Sequence, residues 1–585
     1  MNPSAKRARW IAIATVALLC VCALRLFTIQ IIQGPSLAAE GQLVRTRMTD
    51  IPAKRGAILD VTGAVLADSV QTYHIAVNQV NIMSAVRYVE KDGVPTKEVE
   101  GRGPAMAARL LAPLLAMDEA TLGGMMIGDS TYVYLKKHVD AQTYREIRKL
   151  NIHGIEWEAV HERIYPAGNT AGQLIGSVNA DNAGSAGMEA TMNDLLVGTP
   201  GKEAYEIAPN GAVMPGGKKV IEEPIDGASV RTTLYADLQH LVQDKLDAKV
   251  QESQSDWGSV VILDVATGRV LVMADSGAKE PESSTIQTAS SVQYAFEPGS
   301  VGKVLTVAAA LQKGTITPTT TFEVPDNIAR ADSGGVIKDI RNHPTYQLTS
   351  TGILAQSSNV GTVLIGETLT NDELYNMMSA FGLGTPTGIE LPGETAGSLR
   401  TPDQWQGRDK YVTMFGQAYS MSALQEASVM ATIGNGGVRV NPRIIDSWTK
   451  ADGTVHYPES PEPVQVISPE VAQQLTLMME SVVEAETGTG SKAQIDGYRV
   501  ALKTGTAELF LQNGTGVVAT AAGIVPADNP RLAISVVLYN PKSTAYGGTV
   551  AAPLFGDAAS DAVRTLGIPA SSEPAQLYPT GREEN

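Results

Sequence analysis

Residues 297–303 read EPGSVGK and run directly into the apolar segment VLTVAAALQK, 304–313. Two unrelated chemistries use such a stretch. A phosphate-binding loop needs a glycine five residues before the Gly-Lys, a serine or threonine after the lysine to hold magnesium, and a strand feeding the loop. Here Glu297 stands at the glycine position, Val304 follows Lys303, and Pro298 stands where the strand would enter. A carboxylate is the wrong charge for a backbone that must cradle phosphate. The other chemistry is nucleophilic. Pro298-Gly299 stops the preceding segment. The spacing of Val301, Val304, Leu305, Ala308 and Leu311 predicts a helix that starts near Ser300 and ends at Gly314. Ser300 and Lys303 then lie three apart on one face, within reach of each other. A serine hydroxyl is a weak nucleophile until a base takes its proton. Lysine can be that base when burial holds it neutral.

Ser-x-x-Lys by itself says little, because the chain also contains it at Ser276/Lys279 and Ser447/Lys450. Those two sit in a polar loop and before a turn, with no buried helix behind them. Two further motifs single out the first pair. LAQSSNVGT (354–362) carries Ser357-x-Asn359 after an apolar stretch, and YRVALKTGTAELF (498–510) carries Lys503-Thr504-Gly505-Thr506 at the end of a strand-like run. Ser-x-Asn recurs at Ser177-Val178-Asn179, whereas Lys-Thr-Gly occurs once.

The chain has 585 residues, enough for two or more folded units, and a formal net charge of -17, which argues against a nucleic-acid partner. Its seven histidines are scattered without metal-ligand spacing, so no metal site and no cofactor is expected. Lys6, Arg7 and Arg9 precede an apolar run from Trp10 to Leu24; Arg25 interrupts, and the apolar character continues to Ile32. About 20 such residues span the hydrocarbon core of a bilayer. The leading positive charges place the N-terminus in the cytoplasm. A cleaved signal peptide would need its small-x-small site near the apolar run, and Ser36-Leu37-Ala38 lies well past it. Both cysteines, Cys20 and Cys22, fall inside the span, so the part beyond it has neither thiol nor disulfide, as suits a bacterial envelope protein.

Composition divides the remainder. Residues 34–233 are rich in short strand-like runs and turns, as in RGAILDVTGAVLA (55–67), and 208–228 reads as an extended connection or an exposed hairpin. From about 234 the texture changes. An amphipathic helix with Leu234, Leu238, Leu241, Val242 and Leu246 on one side is followed by two strands joined at Ala266-Thr267-Gly268. This second domain runs to 567, and 568–585 reads as a mobile tail. The fold class is α+β.

Ser-x-x-Lys, Ser-x-Asn and Lys-Thr-Gly in this order are the signature of β-lactamases and penicillin-binding proteins. The chain resembles the class B penicillin-binding proteins over nearly its whole length: the anchor, RGAILDVTGAVLA, ERIYPAGNTAGQLIG (162–176), AGMEATMNDLLVG (186–198) and PADNPRLAISVVLYNP (526–541) all look like members of that class. Val61, and Ala521-Ala522-Gly523, depart from the family's usual residues. The resemblance implies a mainly β, non-catalytic, dimerisation-like pedestal over 34–233. It implies a transpeptidase domain over 234–567, an antiparallel sheet flanked by helices on both faces. It also implies roles. Ser300 would attack the penultimate D-alanine of a peptidoglycan stem peptide, Lys303 would accept its proton, and Ser357 would protonate the leaving D-alanine. Asn359 would hold the substrate amide. Lys503 and Thr504 would bind the terminal carboxylate as a charge-assisted contact. Gly505 would let the edge strand approach the substrate, and the Thr506 and Ser300 amides would form the oxyanion hole. An amine from a second stem would complete the cross-link, and β-lactams would acylate the same serine. The likeness is greatest to the septal, division-specific type. It implies a SEDS-type glycosyltransferase and other divisome proteins as partners, at the bacterial cell membrane.

Other functions remain open on the residues alone: an elongation-type transpeptidase, a D,D-carboxypeptidase, a non-catalytic divisome scaffold, or a β-lactamase. The last would need a water-activating group, for which Glu367 in ETLTN (367–371) is a candidate, although Thr370 stands where that class has leucine.

Overall fold

The computed structural model describes every residue except 1–2, 38–44, 92–93, 207–217, 282–287, 331–333, 512–513, 545 and 582–585. The chain forms two compact units, Met1–Lys54 with Gly198–Asp226, and Arg55–Val197 with Gly227–Asn585. In the first, an α-helix over Pro3–Phe27 continues as a π-turn over Thr28–Ile32. Within it Ser4–Ile32, with a mean hydropathy of 2.3 at its most apolar, is long and apolar enough to cross a membrane. The unit also holds an antiparallel three-stranded sheet in the order Thr46–Ile51, Gly201–Glu206, Lys219–Glu222. Lys219–Glu222 is thus one arm of a hairpin; the first part of the connection expected at 208–228 lies outside the described residues.

The second unit opens with a sheet built from β1 (Ile58–Leu59), β2 (Val65–Val77), β3 (Val133–Val139), β4 (Ile155–Ile164) and β5 (Ser229–Thr232). The β1–β2 turn forms because Asp60 Oδ1 accepts the N–H groups of Thr62 and Ala64 at 2.8 Å each. β5 lies between β1, to which it is parallel, and strand Ile445–Thr449, to which it is antiparallel. One sheet therefore joins residues from both sides of position 233.

Under that sheet three arms of the chain meet in a buried ion triad. Glu189 accepts Arg55 Nε at 2.7 Å and Arg163 Nε at 2.6 Å, and all three side chains are at most 1% exposed. Arg55 also donates to Asn193 Oδ1 and the Glu189 carbonyl, and Arg163 to the Gly56 carbonyl. Buried charges persist only when paired and hydrogen-bonded in this way. Each residue comes from one of the stretches on which the family resemblance rests.

The largest remaining sheet is five-stranded and antiparallel. Its strands are β6 (Trp257–Asp264), β7 (Val270–Asp275), β8 (Ala501–Leu511), β9 (Gly514–Val525) and β10 (Leu532–Tyr539), in the order β7-β6-β10-β9-β8. Helices α1 (Ala236–Ser253) and α7 (Gly547–Thr565) cover one face, and α5 (Ala423–Gly434) the other. Helix α6 (Pro469–Glu484) packs on β8 and α5, and α2 (Lys303–Lys313), α3 (Ser350–Gln356) and α4 (Asn359–Gly366) pack on one another, with α2 and α3 also against α6. The sheet is nearly continuous Val, Ile, Leu and Ala because helices bury both faces.

Two expectations about helices are corrected. On α1 Leu238, Val242 and Leu246 are buried as expected, as is Leu234 just before it, but Gln239 and Gln243 share the inward side while Leu241 is exposed. Gln239 donates to the Met273 carbonyl and accepts the Met273 N–H, and Gln243 donates to the Asp275 carbonyl. These amides saturate the open edge of β7, a need that hydrophobic spacing does not register. Helix α2 is buried all round rather than on one side, from Lys303 through Leu311. Its C-terminus at Gly314, with φ +75°, is where the sequence places it.

The tail is corrected as well. Ile568 is buried, Ser571 bonds to Gly497, Arg499 and Asp528, and Thr349 donates to the Pro579 and Thr580 carbonyls. Tyr578 packs on the main core. The segment has no core-forming pattern of its own and docks on one supplied by the rest of the chain.

Candidate active site

The sequence places Ser300 at a helix start; the backbone there is a single 3-10 turn, Gly299–Gly302, with the α-helix beginning at Lys303. The turn is pinned from several sides. Glu297 Oε1 accepts the Ala418 N–H at 2.9 Å, and the Gly299 N–H donates to the Gly416 carbonyl at 2.9 Å. Gly302 must be glycine because a Cβ there would lie 2.1 Å from the Tyr419 hydroxyl. Gly505 has a comparable reason. Its Cβ would meet the Pro298 carbonyl at 2.6 Å and Val301 at 3.1 Å. The glycine thus lets β8 press against the nucleophile turn.

Ser357, the left-handed C-cap of α3 at φ +60°, faces this turn. A non-glycine residue in that conformation costs about 1 kcal/mol, the kind of strain that collects at functional sites. It aims the Ser357 hydroxyl at two lysines. Lys303 Nζ donates to the Ser357 carbonyl and, at 3.2 Å, to its hydroxyl; Lys503 Nζ donates to the same hydroxyl at 2.9 Å and to the Thr504 carbonyl at 2.8 Å. Both lysines are 0% exposed. Burial pushes Lys303 down from 10.5 to about 7, against the opposing pull of Asp339. Lys503 is lowered well below its ordinary value by burial first and by the Lys303 charge second. Two cations that close cannot both keep their protons cheaply.

This geometry bears on both lysines. Lys503, which the resemblance assigns to the substrate's carboxylate, is wholly buried, is not part of the cleft lining and holds the Ser357 hydroxyl. The Ser300 hydroxyl has no hydrogen-bond partner among the described residues, so Lys303 stands ready on Ser357 rather than on the nucleophile. Such contacts commonly close only around substrate.

Ser300, Ser357, Thr504 and Thr506 line one cleft of about 630 Å³, with Thr489, Lys492, Asp339, Arg341, His343 and Tyr546 among its other walls. Thr504 Oγ1 bonds to Thr489 Oγ1 at 2.8 Å, and Thr506 Oγ1 accepts the Gly547 N–H at 3.1 Å. Asn359 is not part of this lining; its Nδ2 donates to the Lys338 carbonyl at 3.1 Å. The sequence reading missed Thr489, whose signal is the Gly/Thr-rich turn ETGTG (486–490) after α6, and Asp339, which carries none. The look-alike motifs are structural. Ser276 Oγ accepts the Gly258 N–H, and Ser447 is buried in strand Ile445–Thr449. Glu367, the candidate water-activating group, is held by Arg330 through two bonds of 2.6 and 2.8 Å and does not line the cleft.

A nucleophilic serine beside a buried, near-neutral lysine, with a second serine bridging two lysines, is a site for acyl transfer. Residues 258–560 match the penicillin binding protein transpeptidase domain, and residues 50–232 match the penicillin-binding protein dimerisation domain. The chain belongs to the class B penicillin-binding proteins. Among curated proteins it is 34% identical to penicillin-binding protein PbpB of Mycolicibacterium smegmatis, over 96% of this chain and 90% of that protein. It is 32% identical to peptidoglycan D,D-transpeptidase FtsI of Escherichia coli, over 94% and 92%. Among solved structures, a peptidoglycan synthetase from Bifidobacterium adolescentis is similar at 35% identity and a TM-score of 0.73, over 92% of this chain and 100% of that one. Penicillin binding protein 3 of Mycobacterium tuberculosis in complex with aztreonam is similar at 27% identity and 0.69, over 90% and 99%. With its apolar N-terminal helix the chain is a membrane-anchored member of the family.

Proposed function

We propose that this chain is a septal peptidoglycan D,D-transpeptidase acting through an acyl-enzyme on Ser300. The observation that carries the reading is the convergence of Lys303 and Lys503 on the Ser357 hydroxyl in the cleft that holds Ser300. Ser300 Oγ attacks the carbonyl of the penultimate D-alanine, and neutral Lys303 takes its proton. Charge develops on the carbonyl oxygen, where the Ser300 and Thr506 N–H groups serve as the oxyanion hole. The proton passes through Ser357 to the departing D-alanine amine. An amine of a second stem peptide then attacks the ester and releases Ser300 with a new amide bond. Thr504, Thr506 and Thr489 offer hydroxyls to the donor's carboxylate, and Asn359 holds the substrate amide once its bond to Lys338 yields. β-Lactams acylate the same serine.

Residues 34–233 serve as the non-catalytic pedestal and 234–567 as the transpeptidase domain. The N-terminus lies in the cytoplasm, because Lys6, Arg7 and Arg9 precede the span, and the catalytic part lies outside. A SEDS-type glycosyltransferase and other divisome proteins fit as partners of the span and pedestal. The septal reading is supported by the similarity to FtsI of Escherichia coli.

Full-length protein labelled with a fluorescent penicillin and digested should carry the label on Ser300, and Ser300→Ala should carry none. Label on Ser276 or Ser447 would overturn the assignment. Incubation with a D-Ala-D-Ala donor and an amine acceptor should give cross-linked product; hydrolysis alone, acceptor or not, identifies a carboxypeptidase.

A further inference from the structure

Among the groups around the cleft, one carboxylate is more heavily engaged than any role so far assigned to it explains. Asp339 follows the short strand Val336–Lys338, and its side chain is 9% exposed. Its Oδ1 accepts the N–H groups of Asn359, at 2.5 Å, and Val360, at 3.0 Å. Its Oδ2 accepts the Ser358 hydroxyl at 2.7 Å and faces His343 Nε2 at 3.1 Å. The preceding carbonyl, of Lys338, holds the Asn359 side chain. So a single loop engages Ser358 through its hydroxyl and Asn359 through both its backbone N–H and its side-chain amide. His343 is itself fixed: its ring stacks on Tyr346 with centroids 4.5 Å apart and planes 4° from parallel, and its Nδ1 lies 2.6 Å from the Pro344 carbonyl.

We propose that Asp339, clamped by His343, is a positioning residue for acylation: it holds the Ser357-Ser358-Asn359 turn against Lys303. The proposal rests on the Ser300 reading above. Ser357 is strained in the left-handed region, and its neighbours Ser358 and Asn359 are the residues that Asp339 grips. Release of that grip lets the turn relax and takes the Ser357 hydroxyl off the two lysines. The same charge acts on the base. Asp339 opposes the effect of burial on Lys303, so its removal lets Lys303 lose its proton at lower pH. The charged and titratable groups around this centre are Lys303 on α2, Lys503 on β8, His343 and Arg341 in the same loop, and Glu486 and Lys492 in the cleft wall.

The test is the second-order rate constant for acylation of full-length protein by a fluorescent penicillin, followed from pH 5 to 9, with thermal denaturation of each variant in parallel. Asp339→Asn should slow acylation by about 10- to 100-fold, the range for a displaced catalytic group, and should move the acid limb of the profile to lower pH. His343→Ala should slow acylation in the same direction, and His343→Gln, which keeps a donor for Oδ2, should recover most of that loss. A cap that only stabilises α4 would lower the melting temperature and leave both the rate of the folded protein and its acid limb unchanged; that result overturns the proposal. If Asp339→Asn does not fold, the His343 pair decides, and equal rates for His343→Ala and wild type reject the clamp. Label absent from Ser300 in the wild type is the separate failure of the underlying reading, whereas label on Ser300 with unaltered variants rejects this inference alone.

Discussion

Lys303 makes the acylation rate a titration curve. The side chain is wholly buried and its pKa falls from 10.5 to about 7. That change corresponds to about 5 kcal/mol of differential interaction, at 1.36 kcal/mol per pH unit. At pH 7.4 about 70% of such a lysine is neutral, against roughly 0.1% of an unperturbed one, so burial raises the supply of base by nearly three orders of magnitude. If Lys303 takes the Ser300 proton, the second-order rate constant for acylation by a fluorescent penicillin should rise about tenfold per unit between pH 5 and 6, reach half its plateau near 7, and flatten above 8. Lys303→Arg keeps the positive charge and cannot lose its proton, so it should show no such limb and acylate hardly at all. Stopped-flow fluorescence over pH 5 to 9 reads all of this directly. A rate that is flat from pH 5.5 to 8.5, or one that still climbs towards 10, would refute the assignment of Lys303 as the base.

Two further outcomes concern stability. Glu426, fully buried with Ser535 donating to it at 2.6 Å, is raised by burial from 4.5 to about 8. Between those values the native state holds a proton that the unfolded chain has released, so stability falls as pH rises from 4.5 to 8, by about 5 kcal/mol in all, and is level above 8. Glu426→Gln removes that slope. Its melting temperature should overtake the wild type's progressively up to pH 8, and parallel curves would show that the carboxyl is not protonated. In the ion triad, Glu189→Ala strands two buried guanidinium groups and should cost about 3–5 kcal/mol, seen as a large fall in melting temperature. A loss below 1 kcal/mol would mean that water reaches Arg55 and Arg163.

What the sequence discloses about this site follows from how far each requirement reaches. Ser300 with Lys303, Ser357 with Asn359, and Lys503 with Thr504 are local pairs. Each needs particular residue types a few positions apart, on an element whose apolar spacing is itself visible. Their convergence is a property of topology, so Lys503 could be named while its partner, Ser357 Oγ, 146 residues away, could not. Gly505 was legible as a site of close approach, but not what approaches. Asp339 has no motif, because a carboxylate that serves another segment's backbone can stand anywhere the loop passes. The same holds for Gln239 and Gln243, polar residues on a buried stripe whose partners are the backbone of β7. The docked tail escaped for the complementary reason: a segment without a hydrophobic pattern can still be ordered by the pattern of its neighbours.

The strand pairing at β5 bears on how the two parts of this chain can change independently. Residues 229–232 lie between β1 and strand Ile445–Thr449, so the sheet that holds β1 to β5 also takes a strand from deep inside the stretch that matches the transpeptidase domain. A fragment that began at 234 would carry that strand with its pairing edge bare, a template for intermolecular pairing. Shuffling of whole pedestals between relatives would meet the same obstacle, since a new N-terminal part must match the register of Ser229–Thr232 against Ile445–Thr449. The chain is consequently modular in chemistry but continuous in topology, since a cut just after 233 parts Ser229–Thr232 from Ile445–Thr449.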